Sequence, residues 1–83
     1  MQTIMIDPSR YADGHALHEG LRQMLALPAY YGMNADALHD CLAERTEPVS
    51  VWVLGDAVGD TAHALEICLQ VVEDLGGTVK KIG

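Results

Sequence analysis

A small α/β domain, a three-stranded parallel sheet packed with three to four helices, is the fold this sequence predicts, and three observations predict it. Three short runs rich in β-branched and apolar residues recur along the chain: Thr3-Ile4-Met5-Ile6, Val49-Ser50-Val51-Trp52-Val53-Leu54 and Thr78-Val79-Lys80-Lys81-Ile82. The stretches between them carry apolar residues at helical spacing. Strands separated by helices pair in parallel through right-handed crossovers. With 83 residues, 49% of them hydrophobic, the chain has material for a single domain over 1–83 with one modest core.

Gln2 to Ile6 reads as a strand buried on both faces, stopped by Asp7-Pro8. Ser9 to Gly14 is a polar connection, with Asp13 placed to cap the next helix. Leu17, Leu21, Met24 and Leu25 then form one apolar stripe, predicting a helix from Gly14 to Ala26. Pro28 and Gly32 punctuate a loop holding Tyr30 and Tyr31, and Asn34 is placed as the cap of a second helix. On that helix Leu38 and Leu42 share a face with Cys41 beside them, while Asp36, Asp40 and Glu44 form a second ridge four residues apart. The apolar run 49–54 suits the centre of the sheet, with Trp52 a core or half-buried packing residue. Gly55 to Asp60 is punctuated by glycine yet lacks the lysine and hydroxyl of a phosphate loop, and its aspartates repel phosphate. It is read as a loop ending on Asp60 as an N-cap. Ala62, Leu65, Leu69 and Val72 mark a third helix from Thr61 to Leu75, ended by Gly76-Gly77 in left-handed fashion. The adjacent Lys80 and Lys81 suit an edge strand guarded against further pairing.

Composition narrows the function. Twelve acidic against five basic residues give a net charge of −7 and a pI near 4.7. Phosphate contacts call for a basic surface, so nucleic acid is disfavoured and a basic protein partner favoured, although acidity alone also fits plain solubility. No apolar run approaches the ~20 residues of a membrane span, and the N-terminus lacks the pattern of a signal peptide. A cytoplasmic protein without membrane association is expected. Cys41 and Cys68 fall on apolar helical positions, as reduced thiols do. His15 and His18 stand three apart with no further ligand to complete a metal site, so both are read as surface residues, and no cofactor is expected. His39 is distinguished by its address between the helix acids, and His63 has no such company.

The acidic ridge runs against folding preference. Like charges four apart cost an exposed helix about 0.2–0.5 kcal/mol per pair. Asp36 is well placed near the positive end of the helix dipole, Asp40 gains less, and Glu44 is wrong-signed at the other end. A solvated face accounts for such a ridge taken alone. Two tyrosines and a glycine just before it shift the reading toward a binding surface, because tyrosine offers large contact area at little entropic cost.

The run Ala-Leu-Pro-Ala-Tyr-Tyr-Gly-Met-Asn-Ala-Asp-Ala-Leu-His-Asp-Cys-Leu, residues 26–42, resembles the inhibitory loop and helix of the barstar family, intracellular inhibitors of secreted barnase-type ribonucleases. The likeness is dense from Leu25 to Leu42, and the order of elements is compatible across nearly the whole chain. It implies a barstar-like fold and a stoichiometric inhibitor, monomeric when free, that forms a 1:1 complex with a small basic extracellular-type ribonuclease. It further implies Asp40 as the mimic of the substrate phosphate and Asp36 as its companion acid. Tyr30 and Tyr31 match the family's paired tyrosines, Tyr30 the better contact, and Gly32 and Asn34 match loop positions that let the backbone approach the enzyme. The contact positions held by His39, Ala35 and Ala43 carry tryptophan, leucine and threonine in the prototype, and Glu44 with Arg45 replaces a glycine and a tryptophan. A further acid from the third helix is implied, with Asp74 or its neighbour Glu73 as the candidate. The rim has changed around two retained acids, so barnase itself need not be the partner.

Two other classes compete with this reading. An acidic adaptor for some other basic protein is the alternative. As an enzyme, the chain offers His39 and Cys41 as the pair resembling base and nucleophile, but residues two apart on a helix do not face each other. Ser9 and Ser50 lack the Asp-Ser-Leu setting of an acyl carrier.

Overall fold

A computed structural model describes residues 2–82. The elements are β1 (Gln2–Ile6), a 3-10 turn (Pro8–Arg10), α1 (Gly14–Met24), α2 (Ala35–Ala43), β2 (Val49–Leu54), α3 (Gly59–Asp74) and β3 (Thr78–Ile82). The strands lie in the order β1-β2-β3, both pairings parallel, as expected of strands joined by helical crossovers. The register places Ile4 against Val51 and Val51 against Val79. Ile4, Ile6, Val49, Val51 and Val53 meet Leu17, Leu21 and Leu25 of α1, Leu38 and Leu42 of α2, and Leu65, Leu69 and Val72 of α3 in one core.

Among the described residues, helices cover one face of the sheet. Along β1 burial alternates, and Met5 is 55% exposed, so the strand is not buried on both faces as its composition suggests. A parallel strand reads as a continuous apolar run when helices cover both faces; here all its helical packing falls on the side of Ile4 and Ile6. The open face carries Met5, the half-buried Trp52, Leu54 and Ile82, with the Lys80 ammonium 5.2 Å over the Trp52 ring. β3 is an edge strand, the place expected for its two lysines.

Capping follows the sequence at two helices and departs from it at the third. Asp13 accepts from the Ala16 amide and Asn34 from the Ala37 amide, both at 2.8 Å. Asp60 is not an N-cap: α3 begins at Gly59 with Val58 at its cap, and no side chain closes that end. The Asp60 carboxylate instead accepts from the Gly14 amide at 2.8 Å, across the junction where the first turns of α1 and α3 meet. A Cβ on Gly14 would stand 2.9 Å from that of Ala64, so this junction tolerates only glycine without adjustment. The tertiary approach of two positive helix ends, rather than local spacing, determines where that carboxylate goes.

α1 and α3 end alike. In each the amide two residues past the cap reaches back to the third-last helical carbonyl, Leu27 to Arg22 at 2.8 Å and Gly77 to Val72 at 2.9 Å. The left-handed residue between is Gly76 (φ 86) in α3 but Ala26 (φ 52) in α1, which is why α1 stops at Met24, short of the expected Ala26.

Candidate functional site

The loop between α1 and α2 is set by one inward side chain. Its turn is closed by the Tyr31 amide donating to the Pro28 carbonyl at 3.0 Å. Neighbouring tyrosines then diverge: Tyr30 is 85% exposed and Tyr31 only 5%. The Tyr31 hydroxyl lies 2.7 Å from His18 Nδ1 and 3.3 Å from the Asn34 carbonyl. Tyr31 therefore does not stand on the surface where its motif position placed it. His18 also departs from expectation, being buried rather than at the surface. It flanks the Leu17–Leu21 stripe, and Tyr31 supplies the polar partner that a core imidazole needs.

From Asn34 the chain turns into α2. Asn34 Nδ2 donates to the Gly32 carbonyl at 3.1 Å while its Oδ1 caps the helix. Met33, at φ 56, takes the left-handed conformation of this turn, and Gly32 does not. A Cβ on Gly32 would press on that of Ala37 at 3.3 Å, so glycine keeps this exposed backbone bare. Along α2, Leu38 and Leu42 are buried and Cys41 and Ala35 half-buried, whereas Asp36, His39, Asp40, Ala43 and Glu44 are exposed. The predicted inward and outward ridges are both present.

Tyr30 lines an open groove with Leu27, Pro28, Cys41 and Glu44, so of the three acids it is Glu44, at the C-terminal end of the ridge, that this groove brings near it. Leu42 and Ala43 share a second groove with Val72 and Leu75, so the C-terminal ends of α2 and α3 are neighbours. Asp74 closes α3 there, exposed, with Gln70 donating to it at 2.9 Å.

The charge around this face is one-sided. Among the described residues no ion pair engages Asp36, Asp40 or Glu44; Arg10 pairs with Asp7 and Arg22 with Glu19. Arg45, in the wall of the Tyr30 groove, spends its guanidinium elsewhere, donating to the Leu25 carbonyl and, at 2.9 Å, to Gln2 Oε1. It ties the exit of α2 to the start of β1 and the end of α1. Spacing gave no hint of this, because the partners lie 20 and 43 residues away.

The structure also holds a cysteine–histidine pair that spacing missed: Cys68 Sγ lies 3.9 Å from His18 Nε2. Both are buried, and burial pushes the Cys68 thiol up to about 11, so it stays protonated packing rather than a nucleophile. Both cysteines are free thiols, Cys68 buried and Cys41 half-buried. No cluster suited to a metal ion occurs among the described residues, and no helix there is long and apolar enough to cross a membrane.

Residues 1–81 match a protein family described as Barstar (barnase inhibitor). A relative from Bacillus subtilis (strain 168), named "Putative ribonuclease inhibitor YrdF", is 45% identical over 42 residues. That match covers 51% of this chain and 46% of the relative, about half the length of each.

Proposed function

The chain belongs to the barstar family, and from that premise we propose that it is a stoichiometric inhibitor of a small, basic, secreted ribonuclease of the barnase type. The carrying observation is the exposed ridge of Asp36, Asp40 and Glu44, engaged in no ion pair among the described residues, together with an 85% exposed Tyr30 in the groove that Glu44 lines. A ribonuclease cleft must hold a phosphate and stabilise its developing charge, so it is lined with cationic groups. A carboxylate held where that phosphate would lie receives charge-assisted hydrogen bonds from arginine, lysine or protonated histidine.

In this reading Asp40 takes the place of the phosphate, and Asp36 extends the negative field. Tyr30 lays its ring on the enzyme. Gly32 and Asn34 bring bare backbone close, Ala35, His39, Ala43 and Glu44 form the rim, and Asp74 adds an acid from α3. Tyr31 contributes from inside. The free protein is a monomer of the cytoplasm that binds its ribonuclease 1:1, and it uses no metal or cofactor. Family membership points to an inhibitor rather than an enzyme. An acidic adaptor for a different basic protein is the other reading that the same charge supports.

The test is titration of a barnase-type ribonuclease with the purified protein. Activity should vanish at one equivalent. Asp40→Ala should weaken inhibition by at least about 2 kcal/mol, some thirtyfold or more, as truncation of a central interface anchor does. Alanine favours the helix, so the variant should stay folded. Equal inhibition by wild type and Asp40→Ala would remove the mimicry assignment. Binding to a basic protein without loss of ribonuclease activity would favour the adaptor.

A further inference from the structure

The segment from Ala26 to Tyr30 is suspended between two anchors. At its far end Tyr31 turns into the core. At its near end stands Leu25, the cap of α1, whose carbonyl accepts from Arg45 Nη2. Arg45 Nη1 donates to Gln2 Oε1 at 2.9 Å, and Gln2 Nε2 donates onward to the Met24 carbonyl at 3.2 Å. One guanidinium and the amide it holds thus serve two carbonyls at the end of α1. The backbone amide of Arg45 meanwhile donates to the Leu42 carbonyl at 3.1 Å, at the exit of α2. The residue therefore starts from the end of one helix and delivers its charge to the negative pole of another.

We propose that Arg45 is a positioning residue for the inhibitory surface: by fixing the end of α1 to the exit of α2 it sets the two walls of the Tyr30 groove, and so where Tyr30 stands relative to Glu44. The biological meaning of that surface rests on the ribonuclease-inhibitor reading, but the clamp belongs to the free protein.

One wall of the groove is Leu27, Pro28 and Tyr30, from the loop that Leu25 opens; the other is Cys41, Glu44 and Arg45. Tyr30 is 85% exposed, so contacts of its own side chain do little to place it, and the backbone beneath must be set from its ends. Two local hydrogen bonds shape that backbone, the Leu27 amide to the Arg22 carbonyl and the Tyr31 amide to the Pro28 carbonyl. Neither reaches α2. The bond from Arg45 to the Leu25 carbonyl does cross, joining the chain that enters the loop to the chain that leaves the helix. A planar guanidinium suits the task, because it offers donors on two nitrogens in fixed directions, which an ammonium on a flexible stem does not. Among the described residues Arg45 makes no ion pair, so its fork is given to geometry and not to neutralising the acids beside it.

The sign of the effect on inhibition separates positioning from charge. Arg45→Met keeps an apolar stem and removes the donors. It also removes a cation from an acidic protein, which by charge alone should speed capture of a basic ribonuclease and tighten inhibition. With barnase as the probe, positioning predicts the reverse, inhibition about tenfold weaker with the loss in the dissociation rate. The loss should shrink to less than about twofold when Tyr30 is already alanine, since the clamp then has little left to position. Unchanged or tighter inhibition by Arg45→Met, or equal losses in the two backgrounds, overturns the proposal. Amide hydrogen exchange on the free full chain reads the clamp without a partner: in Arg45→Met, protection of the Leu27 and Tyr31 amides should fall about tenfold more than that of the Val51 and Val53 amides. A uniform fall at all four, or no fall, overturns it. Should Arg45→Met not fold, Arg45→Lys decides: it keeps the charge, loses the fork and should show the same selective loss, and wild-type protection overturns the proposal. Failure of wild type to inhibit barnase would count against the ribonuclease reading, and the exchange data would still decide the clamp.

Discussion

Tyr30 and Tyr31 are adjacent and chemically identical, and the two sides of the loop–α2 unit divide between them. Outward, like Tyr30, face Asp36, Asp40 and Glu44, all exposed and without an ion pair among the described residues. On Tyr31's side lie Leu38, Leu42 and His18, buried and with the polar atoms of the imidazole and phenol partnered. The outward side gains little from folding and even carries the small penalty of like charges, while the inward side does the holding. An exposed surface can be left electrostatically unsatisfied where other atoms fix its geometry. The two sides should therefore answer substitution in opposite currencies, stability inside and affinity outside.

The largest expected effect is inside. Tyr31→Ala removes a fully packed ring and should cost about 3–5 kcal/mol of stability, read by urea denaturation. Tyr30→Ala, one residue away, should alter stability by no more than about 0.5 kcal/mol yet weaken ribonuclease inhibition by about 2 kcal/mol. Equal stability losses at both positions would erase the distinction between the two sides.

Next in size is the pH response of the inward side. Folding favours neutral His18, whose proton affinity is lowered from the ordinary 6.5. The sign follows: the contribution is complete above the unfolded value and is lost as pH falls through about 6.5 toward the lower folded value. Urea denaturation should show wild type losing more stability than His18→Gln between about pH 7.5 and about pH 5. Parallel losses would place the titrating group elsewhere.

Which parts of this were legible in the sequence follows the same division. The strands, the caps at Asp13 and Asn34, and the inward Leu38–Leu42 face are local or periodic, and spacing displays them. The outward ridge is likewise local to one helix. The burial of Tyr31 and His18 is not, because each needs a partner from another element, 13 residues away. The same holds for Asp60, whose apparent capping position was overridden by Gly14 across the α1–α3 junction, 46 residues distant. The exposed apolar face of β1 escaped because composition records that a residue is apolar and not whether a second layer covers it. Resemblance, not spacing, is what suggested roles for Asp36 and Asp40, and the structure is what showed that one tyrosine of the pair turns inward.

The smallest effect concerns Glu44, where the two sides should move in opposite directions. Its carboxylate is exposed at the C-cap of α2, facing the negative end of the helix dipole, four residues from Asp40. Glu44→Gln removes both repulsions and should stabilise the free protein by about 0.3–1 kcal/mol, a small rise in its thermal midpoint. The same change removes one negative charge from the groove beside Tyr30, so the rate of association with a basic ribonuclease should fall and its salt dependence become shallower. Stopped-flow association at low and moderate ionic strength, set beside thermal unfolding, reads both. A variant that is more stable and associates as fast as wild type would show that Glu44 is solvated surface and that the binding face ends at Asp40.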